Sequence, residues 1–407
     1  MRSHPRRMVI LLVALAAGSA PGRPGEGIQA GGDVLVRPFA DAAISYDSNP
    51  LLLRKGQELD DFFLDASSGL QVTRPGDVLR LDGLFWGRLR RFEDLTSEDS
   101  DDLSEELRLG LGRQEDWRLR LHERFGRVSD YDLSVRTLGA TGEGGGDRYL
   151  DRSDRIDRHI LDCGVGVDGP LTDKTSVEAM CGYGKINYLS RDLLDSTEAT
   201  ASVKAARKVT DKSMAILVVE YSRMENDSLS NPANYCAARA GWRWQGTFKS
   251  RFEGTAGCSR FALDDSSADG SLDRDGFSYD VAWYWQAWPK LSLTLGGRSE
   301  MHLAADTAQG AKVADLITTS AQYSPTQRLA LGLLVGYCHE DFTDGEEVVG
   351  EARVERVVEQ LRGRLRCDYH LLTWLKPYGE VWQEDTQDNV RGGYQETRIT
   401  LGVKAEY

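Results

Sequence analysis

Beyond residue 31 the chain has no stretch approaching the ~20 consecutive apolar residues that a membrane-spanning helix needs. If it enters a membrane, it does so as strands. Proline is scarce, at 11 in 407 residues, and no Pro-rich linker or composition break divides the chain. One domain is therefore expected where the length could hold two or three. Basic excess is also missing. A formal net charge of -14 argues against nucleic acid as a partner. There are only six histidines, and no HExxH, GxSxG, P-loop or Rossmann glycine pattern occurs. The six cysteines show neither CxxC nor metal-ligand spacing. No catalytic residue, cofactor or metal is expected, and an enzyme is the least favoured class. His339, beside Glu340 and Asp341, reads as a solvated histidine in an acidic loop.

What is present has a rhythm. The start, Met1 to Arg7, is basic, Met8 to Ala17 is apolar, and small residues follow. This is the pattern of a secretory signal peptide with cleavage expected after Ala30, leaving 31–407 as the mature domain. The composition is 40% apolar and 28% charged, yet it includes 42 Gly and 9 Trp, with a mean hydropathy of -0.44. A β-barrel with a polar lumen averages to this profile, because half of each strand faces water. From about Val36, alternating segments recur at ~20-residue spacing, near the ~10-residue strand plus connection of such barrels. About eighteen are counted, with sixteen as the alternative because the segments near Leu161 and Val313 are weak.

Short and long connections alternate. The short ones are 74–77, 113–116, 169–174, 208–213, 245–250, 288–290, 324–327 and 370–374. The long ones are 47–60, 93–102, 128–153, 189–196, 225–233, 263–274, 304–310, 341–350 and 384–392. Short turns on one side and long loops on the other are the mark of an outer-membrane barrel.

Period two also assigns faces. Leu79, Leu81, Phe85 and Leu89 alternate with Arg80, Asp82, Arg88 and Arg90. Lipid tolerates the first set and penalises the second, so the arginines are expected inside. Arg118, Arg120 and Arg124 follow the same logic, as do Arg362, Arg364, Arg366 and Arg398. In a closed barrel the last strand meets the first, so these rows share one half of the wall. Arginine rows select anions in pores; alternatively they pair with acids such as Asp82, Glu106 and Glu396 and keep a wide lumen rigid. Outward aromatics near strand ends, among them Trp117, Trp244, Trp285, Phe62, Phe125 and Tyr337, are expected to form two interfacial girdles.

Cys163 and Cys181 are symmetric about Thr172, and Cys236 and Cys258 about Thr247. Each pair would lie nearly opposite across a hairpin. In the oxidising periplasm they are read either as cross-strand disulfides or as reduced thiols facing lipid.

The last segment, Thr397 to Tyr407, alternates up to an aromatic terminus. It resembles the closing strand of bacterial outer-membrane barrels, which implies that Tyr407 is the assembly signal read by the barrel-assembly machinery. Near the start, Ile44-Ser45-Tyr46-Asp47-Ser48-Asn49-Pro50, followed by a loop and a strand-like segment from Phe62 to Val72, resembles the outer-membrane β-barrel porins found beside exopolysaccharide genes. That resemblance implies a pore in the cell outer membrane of a Gram-negative bacterium, surrounded by outer-membrane lipid. The function expected is passive passage of small or anionic hydrophilic solutes. The alternatives are an exopolysaccharide export barrel working with a periplasmic partner, and a non-conducting adhesin or structural barrel.

Overall fold

The computed structural model describes residues 27–30, 32–51, 53–96, 99–113, 115–128, 136–137, 146–147, 158–189, 195–226, 232–263, 272–303, 311–349, 352–390 and 392–406. Residues 1–26 of the expected signal peptide, Tyr407 and most of 128–153 lie outside them. Eighteen long strands make the wall. The first six are β1 (Leu35–Asp47), β2 (Asp61–Arg74), β3 (Leu79–Phe92), β4 (Ser100–Leu111), β5 (Arg118–Val128) and β6 (Arg158–Thr172). Next come β7 (Thr175–Tyr188), β8 (Ser196–Thr210), β9 (Ser213–Asn226), β10 (Ala233–Thr247), β11 (Ser250–Leu263) and β12 (Leu272–Trp288). The rest are β13 (Leu291–Leu303), β14 (Ala311–Tyr323), β15 (Leu329–Val349), β16 (Ala352–Tyr369), β17 (Leu375–Asp388) and β18 (Tyr394–Glu406).

Each strand pairs antiparallel with the next, and β18 returns to β1, from Phe39↔Glu406 to Asp47↔Arg398. The sheet is a closed barrel with no free edge. A two-residue strand at Ile28–Gln29 adds to the start of β1, and Arg136–Thr137 pairs with Gly146–Asp147 apart from the wall. The sixteen-strand alternative is excluded, since both weak segments are full strands, β6 and β14.

The eight short turns fall where the sequence places them. Three share a pattern: Thr172-Asp173-Lys174, Thr210-Asp211-Lys212 and Thr247-Phe248-Lys249. In each the threonine hydroxyl accepts from the lysine N–H two residues on, which fixes the reversal locally. The lysine carbonyl of each then accepts from the following hairpin, as in Lys208 N→Lys174 O at 2.7 Å and Gln245 N→Lys212 O at 2.8 Å. Two of the long loops are shorter than expected. β15 runs on to Val349 and β17 to Asp388, because pairing continues through the polar residues there, with one register shift in β15–β16 between Phe342 and Glu347. His339 thus sits in a strand, 3.7 Å from Glu359, rather than in a loop.

The cysteine pairs are not opposite one another. Cys163 faces Tyr183 and Cys181 faces Val165; Cys236 faces Arg260 and Cys258 faces Ala238. A register shift flanks each turn, after it between Thr175 and Ser176 and before it between Trp244 and Thr247, and the hairpins are centred one residue later than symmetry suggested. All six thiols are free. Protein unfolded without reductant is expected to take up six equivalents of maleimide. A bonded Cys163–Cys181 or Cys236–Cys258 peptide in the non-reduced digest would contradict the register.

Candidate functional site: the inner wall

Side chains on the concave side of a barrel converge, so bonds across an intervening strand gather there. Tyr378 Oη on β17 donates to Asp41 on β1 at 2.9 Å. Arg239 on β10 donates to Ser278 on β12 at 2.8 Å, and Lys204 on β8 reaches Glu253 on β11 at 2.8 Å. Arg120 on β5 bonds Glu178 on β7. These contacts fix the inner face, and strand parity carries the assignment to the other residues. On the opposite face Leu64, Phe85, Leu103, Val165, Leu217, Leu361 and Leu401 are exposed. This apolar belt is flanked by exposed Trp117, Trp244, Trp285 and Tyr323 near the turns and by Phe62, Phe125, Tyr221, Phe277 and Tyr337 towards the loops. Phe252, on the same face near the turns, is half-buried.

The inward arginines are compensated. On β16, Arg362 meets Glu384 at 2.9 Å, Arg364 meets Glu380 at 2.6 Å, and Arg366 meets Asp368 at 2.9 Å and Glu380 at 3.4 Å. Arg398 on β18 joins Asp47 at 3.2 Å and Glu396 at 2.7 Å. On β3, Arg88 and Arg90 converge on Asp65 at 3.0 and 3.1 Å, and Arg80 bonds Asp82 at 2.9 Å. Arg118 and Arg120 on β5 share Asp168 at 3.0 and 2.9 Å, and Arg124 lies across from Asp162. The wall is a ladder of ion pairs. The second of the two sequence readings, pairing with acids, describes its geometry.

Several members escaped the sequence reading. Arg356 on β16, bonded to Asp388 at 2.6 Å, is almost fully buried near the loop end of its strand. It has the same parity as Arg362, which was the available signal. Asp65 and Asp41 were passed over because each is a single acid among small residues. Cations also occur on the far wall: Arg239 pairs with Glu220 at 2.6 Å, and Arg243 and Lys204 share Glu253 at 2.6 and 2.8 Å. The charge is therefore not confined to one half of the barrel.

Burial grades along the axis. Towards the loops, Asp47, Arg90, Phe261, Ser278, Arg356 and Glu384 are buried. Towards the turns, Arg80 and Arg108 are exposed, and a recess of about 760 Å³ opens, lined by Arg80, Asp82, Arg108, Arg118, Arg120 and His122 among others.

No family model and no curated protein matches the sequence. Solved structures do. OccAB4 of Acinetobacter baumannii superposes with a TM-score of 0.50 at 11% identity, over 91% of this chain and 98% of that one. The fold is that of an outer-membrane porin. OccK2 (OpdF) of Pseudomonas aeruginosa, solved in complex with glucuronate, gives 0.49 at 11% identity over 92% and 98% of the two chains. OpdK of the same organism, solved with vanillate, gives 0.48 at 9% identity over 91% and 99%. A likeness at these identities is one of architecture. With its apolar outer belt, the barrel belongs in the cell outer membrane.

Proposed function

We propose that this barrel is a passive, porin-like channel for small hydrophilic solutes, with a modest preference for anions. The observation that carries the reading is the inner wall: charged and polar side chains around the whole circumference, each arginine row held by acids. Fixed arginines with matched carboxylates give a solute a fork of donors and a field to align in. They do not give it a large net charge to fall into. The turn-side recess supplies the anion preference, because Arg80, Arg108, Arg118 and Arg120 line it and the first two are exposed there. No energised step is invoked.

The test is a single-channel recording of the refolded protein in a planar bilayer with a salt gradient. A steady ohmic current with a reversal potential on the anion side is expected. A barrel that is folded by its heat-dependent gel shift yet carries no current would overturn the channel reading. A cation-side reversal would leave the channel standing and remove the anion preference.

A further inference from the structure

Near the turns the outer face of the wall carries almost no charge. Along the turn-side third of seventeen strands the outward residues are apolar, small or hydroxyl-bearing, apart from Arg74 at the last position of β2. The exception is β8. Arg207 lies three residues from the end of that strand, is exposed, and shares its face with exposed Val203 and Val209. It has no ion pair or hydrogen bond among the described residues.

Its height in the membrane follows from the strand. Three residues span roughly 10 Å, or about 7–8 Å of depth at a tilt of ~40°. The interfacial layer of a leaflet is about 5–8 Å thick, so the guanidinium stands where the hydrocarbon ends and the phosphates begin. Trp244 and Trp285 of the turn-side girdle are also three residues from the ends of their strands, and aromatic girdles mark that same level. An arginine there needs an anionic partner, and the wall does not provide one.

The surroundings have the shape and charge of a head-group site. Arg207 pairs across the strands with Thr175 on one side and Ala215 on the other, and Ala215 pairs with exposed Trp242. A methyl between a guanidinium and an indole leaves a shallow notch. Towards the membrane centre the next outward row, Val177, Ala205, Leu217 and Ala240, is apolar. On the turn side two hairpins bring lysines. Lys174 O accepts from Lys208 N at 2.7 Å, which sets that turn beside the end of β8, and Lys212 lies in the turn that β8 enters. Both lysines are exposed. Asp211 is taken up by Lys208 at 2.7 Å, so among the described residues Arg207, Lys174 and Lys212 face one uncommitted acid, Asp173. The excess is positive. It suits a phosphodiester whose head group carries no ammonium, and a guanidinium holds phosphate oxygens with two parallel donors. A soluble anion has no reason to stop on a flank that faces lipid.

We infer that the turn-side outer face of β7–β10 binds an anionic phospholipid, with its phosphate on Arg207 and one acyl chain along Ala205 and Leu217. The folded full-length protein would be incubated in micelles with equimolar phosphatidylglycerol and phosphatidylethanolamine, and the retained lipids counted by native mass spectrometry. Phosphatidylglycerol is expected to be retained in roughly tenfold preference. Arg207→Gln should remove the preference and Arg207→Lys should keep part of it, whereas Arg74→Gln should leave it unchanged. The heat-dependent gel shift checks that each variant is folded. Excess inorganic phosphate should not displace the lipid, because the acyl chain holds it as well. Equal retention of the two lipids by the wild type would overturn the inference. So would an Arg207→Gln protein that still prefers phosphatidylglycerol, or displacement by phosphate, which would make this a site for a free anion.

Discussion

Asn49→Ala is expected to lower the temperature of the barrel's heat-dependent gel shift markedly and to slow refolding. Asn49 is fully buried although it lies in a loop just past the end of β1. Its amide donates to Leu53 O at 2.8 Å and to Gln395 O at 3.1 Å, and its carbonyl accepts from Leu53 N at 2.9 Å. Its neighbours act in the same place. Asp47 accepts from the Asn49 N–H at 3.0 Å and from Arg398 at 3.2 Å, while Ser48 and Thr397 exchange bonds of 3.0 and 2.8 Å. The Tyr-Asp-Ser-Asn-Pro segment is a latch that ties the first strand to the last at the seam where the barrel closes. Leaving a buried polar group unpaired costs about 1–3 kcal/mol, so losing all three Asn49 bonds should cost on the order of 3–5 kcal/mol. Tyr46→Phe supplies the contrast. Its hydroxyl makes one exposed bond, to Asp60 at 3.3 Å, and less than about 1 kcal/mol is expected. Urea unfolding of the two variants checks this. Equal losses would mean that the segment stabilises by packing rather than by latching the seam.

Glu380→Gln should shift ion selectivity towards anions, and Arg364→Gln should shift it the other way. Glu380 is held between Arg364 and Arg366, at 2.6 and 3.4 Å. Neutralising it keeps the size of the side chain and leaves the local field one unit more positive. A unit charge ~5 Å from a permeating ion in water is worth about 0.8 kcal/mol before screening, roughly a fourfold gain for an anion and a fourfold loss for a cation. The shift should shrink as salt rises and the Debye length falls below the pore dimension. The reversal potential of each variant at low and high salt measures it. Shifts of the same sign in both variants would show that the pair acts on the shape of the pore and not through charge.

Much of this architecture was legible in the chain because it is written at short range. Strand parity needs only neighbouring residues, so Arg88, Arg120, Arg364 and Arg398 could be assigned to one face from the Leu and Phe beside them. The order of turns and loops gave eighteen strands. The polar tracts at 341–350 and 384–392 were misread as loops because composition alone does not show that a strand extends past the membrane; cross-strand pairing does. The cysteines failed for a related reason. Their opposition rested on hairpin symmetry about Thr172 and Thr247, and each hairpin is centred one residue later, which moves each thiol two places from its expected partner.

By itself, then, the sequence determined the class of fold, the number of strands, the side of the wall each residue faces and the ends at which the loops lie. All of these follow from a period of two and from local turn chemistry. Tertiary structure decided the partners. That Arg398 meets Asp47, 351 positions away, that Tyr378 crosses β18 to reach Asp41, and that Arg120 bonds an acid two strands on are consequences of closure and stagger. Those quantities belong to the whole ring, and they bring side chains together on the concave face at distances no local spacing encodes. Closure also turned the Tyr46–Pro50 segment into a latch, since its partners exist only once the last strand has returned to the first.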